Sequence, residues 1–194
     1  MILVEVEGRE LEVSDASLRI SWREYVKELS LTVEGDPGGM LRTGAEVSAK
    51  WMDGTPLFSG IIHEVEAVLS GREEYRVLCR DHLTLLENIV VRASYPPLTP
   101  AHEIVLDIIS LASQYGITGN GVQPAPRLLS ETNFHNITAL RALIQVAETT
   151  GYALSIDPWK DVKFHPRRFG RNILGDPSFE ATRLQGDPWT PASP

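Results

Sequence analysis

The chain has 194 residues and a mass of 21.5 kDa, with 42% hydrophobic and 23% charged residues, which provides a core for one or two domains and excludes wholesale disorder. Its 18 basic and 26 acidic residues give a net charge of −8 and a pI near 5.1, the wrong sign for a protein that coats nucleic-acid phosphates. One cysteine, Cys79, excludes an internal disulfide and a Cys-x-x-Cys zinc site, and no apolar run reaches the roughly 20 residues of a membrane helix. Met1-Ile2-Leu3-Val4 meets Glu5 too soon for the apolar core of a signal peptide, so no signal peptide is expected.

Side-chain periodicity divides the chain. Ile2, Val4 and Val6 share one face of a strand, and Leu11 and Val13 resume the alternation after Gly8, which predicts a hairpin. Leu18–Trp22, Leu29–Val33 and Val47–Trp51 repeat the two-residue period. Gly35-Asp36-Pro37-Gly38-Gly39 and Asp53-Gly54-Thr55-Pro56 turn the chain between them. A long strand over Leu57–Leu69 and another over Tyr75–Cys79 complete six or seven antiparallel strands. Closure into a barrel or stacking into a sandwich would bury one face of such a set and hide its edges.

At Asp81 the period changes. Asp81 reads as the N-cap of a short helix carrying Leu83, Leu85 and Leu86, or equally as the end of the last strand. After Tyr95-Pro96-Pro97, Thr99 is expected to cap a helix with Pro100 in its first position, Ile104, Val105, Ile108, Leu111, Ala112 and Tyr115 on one stripe and Gly116 as its stop. Gly119-Asn120-Gly121 reads as a turn and Asn133-Phe134-His135-Asn136 as a polar loop. A second helix begins near Thr138, capped by Asn136 or Thr138, carries Leu140, Leu143, Ile144 and Ala147 on one face, and ends before Gly151. A hairpin, Tyr152–Ile156 with Val162–His165, follows. The Gly- and Pro-rich remainder shows no period. The predicted class is α+β: an N-terminal antiparallel β-barrel over 1–82, a small α+β domain over 83–166, and an extended tail or the start of a further β domain over 167–194.

Chemistry-bearing residues are sparse. His63 is expected to point away from Glu64 and Glu66, because strand neighbours face opposite sides, and so to be a surface or interface residue. Asp81-His82 is the best acid–base pair by sequence, but adjacent residues diverge and Asp81 has a capping role. His102, with Glu103 adjacent and Asp107 five residues on, lacks the spacing of a zinc helix and reads as a solvated residue at a helix start. His135 belongs to the polar loop. Ser59 and Ser178 lack a nucleophile-elbow setting, and no phosphate-binding glycine motif is present. Cys79 is expected to be a buried hydrophobe, and Trp22, Trp51 and Phe58 to be barrel core. No catalytic, metal or cofactor-binding residue is assigned, and no cofactor is expected.

The order of parts carries a resemblance. Trp51-Met52-Asp53-Gly54 leads to Phe58-Ser59-Gly60 and a long strand; Tyr75-Arg76-Val77-Leu78-Cys79-Arg80-Asp81 closes before Leu83, Leu85 and Leu86; and a helix over Leu140–Gly151 enters Gly151-Tyr152 and a hairpin ending Phe164-His165-Pro166. Over roughly residues 1–166 this resembles phage tail baseplate hub proteins, a family related to the hub part of type VI secretion spikes. The resemblance implies a barrel of tail-tube type and a non-enzymatic virion component of the tail tip, made in the host cytoplasm. It implies a homo-oligomeric ring that continues the tail tube and holds tip proteins. A homotrimer is favoured over a hexamer as the partner arrangement, the other partners being the tail tube and tip proteins. No sequence-specific nucleic-acid binding is implied. Complete hubs carry a second barrel after the α+β part, so either an incomplete chain or a minimal hub is expected here. Two further readings stand beside it: a tail-associated cell-wall hydrolase using His102, His135 and nearby carboxylates, and a carbohydrate-binding module stacking sugars on Trp51, Trp159 and Trp189. No assembly-interface residue is assigned, because lumen and interface strands have the same pattern. The acid excess, 17 acidic against 10 basic residues over 1–98, is consistent with a lumen that repels DNA phosphates.

Overall fold

The computed structural model describes residues 2–20, 25–36, 38–69 and 73–167; the tail expected over 167–194, apart from Arg167, and Trp22 lie outside the described residues, and with that tail Ser178 and Trp189. The first half is one antiparallel sheet. Strands β1 (Ile2–Val6) and β2 (Arg9–Leu11) form the predicted hairpin, with Val4 opposite Leu11. Strand β3 (Val13–Arg19) pairs with β4 (Glu28–Glu34), β4 with β7 (Glu73–Asp81), β7 with β6 (Pro56–Leu69), β6 with β5 (Glu46–Trp51), and β5 with β1. The order is therefore β2-β1-β5-β6-β7-β4-β3.

The two outermost strands of that order, β2 and β3, are consecutive in the chain and separated by Glu12 alone. A flat seven-stranded sheet would hold its edges about 28 Å apart at the usual strand spacing, which one residue cannot span. The sheet is consequently curled, as a half-barrel, over its apolar face. Leu29, Leu31 and Val33 of β4, Val47 and Ala49 of β5, Phe58 and Ile62 of β6, and Val77 and Cys79 of β7 share one buried cluster with Val4, Val6 and Leu11. Phe58 and Cys79 are core residues, as expected. Trp51 is not: it stands at the end of β5 opposite Ile2, past the rim of the cluster, and is 45% exposed.

The second half has its own core. A 3-10 helix, His82–Asn88, leads to β8 (Val90–Tyr95), helix α1 (Ala101–Ser110), β9 (Thr118–Val122), β10 (Thr132–Thr138), helix α2 (Ala139–Thr150), β11 (Tyr152–Ile156) and β12 (Asp161–Pro166). β8 pairs with β10, and β12 lies between β11 and β9, antiparallel to the first and parallel to the second. Leu83, Leu86, Ile104, Ile108, Phe134, Leu143, Val146, Leu154 and Phe164 close one buried cluster around which these elements pack. The architecture is α+β.

Several local expectations change. Thr99 does not cap α1; its hydroxyl donates to Pro96 O, Pro100 is the cap residue, and the first turn carries no side-chain cap. The helix ends at Ser110, and a 3-10 turn, Ser113–Tyr115, carries the chain on to Gly116. Thr138 does cap α2, accepting from Arg141 N. Gly119-Asn120-Gly121 is not a turn but the centre of β9. A Cβ on Gly121 would lie 2.8 Å from Val162 O and 2.3 Å from Lys163 Cδ, so glycine is required for β9 to lie against β12. Asn133–Asn136 is likewise not a loop but part of β10, paired with β8 around a bulge at Asn136, with Phe134 buried.

Candidate functional site

A polar site lies where the two cores meet. It grows from the residues that carried the resemblance. On β6 and β7, Gly60 is opposite Asp81, and a Cβ on Gly60 would stand 2.0 Å from Arg80 O and 2.8 Å from Asp81 Cα. Only glycine lets the strands approach so closely, and the approach puts Ser59 beside the end of β7.

Asp81 fulfils both sequence readings: it ends β7 and caps the 3-10 helix. Its Oδ1 accepts from Leu83 N at 3.1 Å and its Oδ2 from Lys27 N at 3.0 Å, while its own N–H donates to Lys27 O at 3.0 Å. Burial pushes its carboxyl up to about 6, against the two N–H donors, which favour the carboxylate. His82 is 1% exposed; its Nε2 lies 2.9 Å from Ser59 Oγ, and its Nδ1 has no hydrogen-bond partner. Burial, helped by the Lys160 charge and opposed by Glu46, lowers its imidazole to about 4.

Three further ties cross between the halves. Lys27 Nζ donates to Ile156 O of β11 at 3.0 Å. Lys160, at left-handed φ of 65° in the turn between β11 and β12, reaches Glu46 of β5 with Nζ 2.6 Å from Oε1, and holds that carboxyl low. Arg167 donates from Nη2 to Tyr25 Oη at 2.7 Å and from Nε to Tyr152 O at 3.1 Å. Tyr25 and Val26, which precede β4, pack against the second core. The site is a joint that fixes the α+β half on the end of the curled sheet.

Ser59 and His82 stand at the distance of a nucleophile and its base, but the geometry does not extend that relation. Asp81 turns its carboxylate to backbone donors, and His82 is sealed from solvent. The remaining candidates are dispersed. His63 is exposed, and so is Glu64: a register shift between Ile62 and Glu64 breaks the alternation that was expected to separate them. His102 is not a solvated residue, because its Nδ1 accepts from Ala125 N at 3.1 Å and ties α1 to the segment after β9. Asp107 accepts from Tyr95 Oη at 2.5 Å. His135 is exposed on β10, opposite Arg92. His102 and His135 therefore sit on different elements, each in its own setting. Among the described residues no group of three His, Cys, Asp or Glu could hold a metal, and no helix is long and apolar enough to cross a membrane. Cys79 is fully buried, and burial pushes its thiol up to about 12.

The joint was legible in part. Asp81 reads as cap and strand end from its own neighbours, whereas nothing local marks Lys27, Glu46, Lys160 or Arg167. Only the fold brings residues 27, 46, 156 and 160 together.

No protein-family model matches the chain, and no curated protein matches its sequence. Solved structures do match its fold. A tail protein from Neisseria meningitidis MC58 superposes with a TM-score of 0.65 at 14% identity, over 84% of this chain and 49% of that one. The 43 kDa tail protein of prophage MuSo2 from Shewanella oneidensis gives 0.64 at 12% identity, over 84% and 53%. An E. coli component of the type VI secretion system, described as structurally similar to bacteriophage T4 tail proteins gp27 and gp5, gives 0.56 at 13% identity, over 83% and 48%. The chain spans about half the length of the structures it matches, and over that length it has the fold of phage tail proteins and of a type VI secretion component related to them.

Proposed function

We propose that this chain is a structural subunit of a bacteriophage tail tip or baseplate hub and works by assembly rather than by catalysis. One observation carries the reading: a curled seven-stranded sheet whose edge strands are joined by a single residue is locked to a small α+β half, in the fold of known tail proteins. In this reading residues 1–82 form a barrel of tail-tube type and 83–166 a hub domain. Copies of the chain associate in a ring that continues the tail tube and anchors tip proteins, with a trimer ahead of a hexamer. The polar outer positions of the sheet, including Glu64, Glu66 and Arg76, would then be shared between lumen and subunit interfaces.

Light scattering of the purified chain over a range of concentrations tests the reading. A trimer or hexamer, or a mass rising towards one with concentration, is expected; a strict monomer throughout would count against self-assembly. A second reading has its own observation. Trp51 and Trp159 are 45% and 73% exposed, which leaves two indole faces open for stacking on sugars in a carbohydrate-binding role. Glycan-array binding that Trp159→Ala abolishes would favour it.

A further inference from the structure

Asp81 and His82 are the two most deeply buried titratable groups at the joint between the cores, 2% and 1% exposed. Their hydrogen bonding makes them respond to protons in opposite senses. An imidazolium at His82 would carry a second N–H, at a position where the ring has only Ser59 for a partner and Nδ1 has none. The proton therefore favours an open joint in which the ring reaches water. The Asp81 carboxylate is enclosed with two neutral backbone donors; a proton there removes a buried charge, at the cost of one of the two hydrogen bonds the carboxylate accepts, and at 2% exposure the burial outweighs that cost.

We propose that Asp81 and His82 are a proton-compensating pair that holds the strength of this joint level as pH falls: the imidazole loosens it and the carboxyl tightens it. The charged groups acting on the pair are Lys27 on Asp81, and Lys160 and Glu46 on His82. On the neighbouring strands Arg80 is paired with Glu28, and His63, Glu64 and Glu66 are exposed. The elements that pack on the 3-10 helix from the other side, α2, β10 and β11, contribute buried Leu143, Phe134 and Leu154, and their charged residues Arg141, Glu148 and His135 are exposed.

The signs follow from linkage. His82, lowered from 6.5 to about 4, leaves stability intact above 6.5 and removes it as pH falls towards 4; from pH 7.5 to 5.0 this weakens folding about 30-fold. Asp81, raised from 3.8 to about 6, contributes in the other direction, strengthening folding about 10-fold over the same interval. Urea unfolding of the full chain at pH 7.5 and 5.0 tests the pair, with each variant compared with itself at the two pH values so that a uniform loss of stability cancels.

Relative to wild type, His82→Gln, whose neutral amide can either donate to or accept from Ser59 Oγ, is expected to gain about 30-fold in its folding constant on acidification, and Asp81→Asn to lose about 10-fold. Variants that both follow the wild-type pH dependence would overturn the proposal. Should either variant fail to fold, the His82 ring signals of the wild-type protein decide it in a pH titration. Only about a tenth of the ring is expected to be protonated at pH 5.0, and an ordinary midpoint near 6.5 would overturn the proposal.

Discussion

The two halves of this protein bury similar side chains by different means. In the curled sheet β4 and β5 turn every second residue inward, and Leu29, Leu31 and Val33 of β4 meet Val77 and Cys79 of β7 through a continuous antiparallel register. In the α+β half the same kind of cluster is assembled from a 3-10 helix, two α-helices and two small sheets, one of which joins β9 to β12 in parallel across some forty intervening residues. The first core is a property of neighbouring strands, the second of distant ones. The difference teaches that the joint has to be polar and specific. Each half closes its own apolar cluster, with Tyr25 and Val26 reaching from the first to the second, and the polar groups that orient one on the other are Asp81, His82, Lys27, the Glu46–Lys160 pair and the Arg167–Tyr25 hydrogen bond.

The comparison is broken most severely by emptying either core. Phe58 and Phe164 are equivalent anchors, 2% and 0% exposed, and Phe58→Ala or Phe164→Ala should each cost about 3–5 kcal/mol in urea unfolding. A single transition is expected in both variants, because the joint couples the halves; separate transitions would show that the cores unfold independently.

A smaller effect tests the close approach that makes the joint. Gly60→Ala places a Cβ against Arg80 O and should destabilise by about 3 kcal/mol, with amide-exchange protection lost first at Leu83 and Lys27, whose N–H groups bind Asp81. Protection lost only at the far end of β6 would sink this account. The smallest effect sharpens the picture of the second half. Thr138→Ala removes the cap of α2 and should cost about 1 kcal/mol, whereas Thr99→Ala should cost less, its hydroxyl meeting only Pro96 O.

The sheet half was largely readable from alternation: the β1–β2 hairpin, β4, β5, β6 and β7 fall where the two-residue period and the Gly- and Pro-rich turns put them. Trp51 escaped that logic because alternation assigns a face and not a depth. In the α+β half the helices and the last hairpin were readable, while β8, β9 and β10 were not. Gly119 and Gly121 look like turn residues in isolation, and what makes their segment a strand is the side of β12 it lies on. Asn133–Asn136 is polar because only Phe134 faces inward around a bulge. His102 looked solvated because its partner, Ala125 N, lies 23 residues away.

What the sequence by itself determined was local: where the chain alternates, where it turns, which residues start and stop α2, and that Asp81 both ends a strand and caps a helix. These follow from backbone geometry within a few residues. The tertiary structure alone decided which strands became neighbours, how β2 and β3 came to bound one curled sheet, and that Ser59, His82, Lys27, Glu46 and Lys160 form a joint. Pairings across twenty to more than a hundred residues depend on which closed arrangement satisfies every buried backbone group and apolar face at once, and no short stretch of sequence carries that condition.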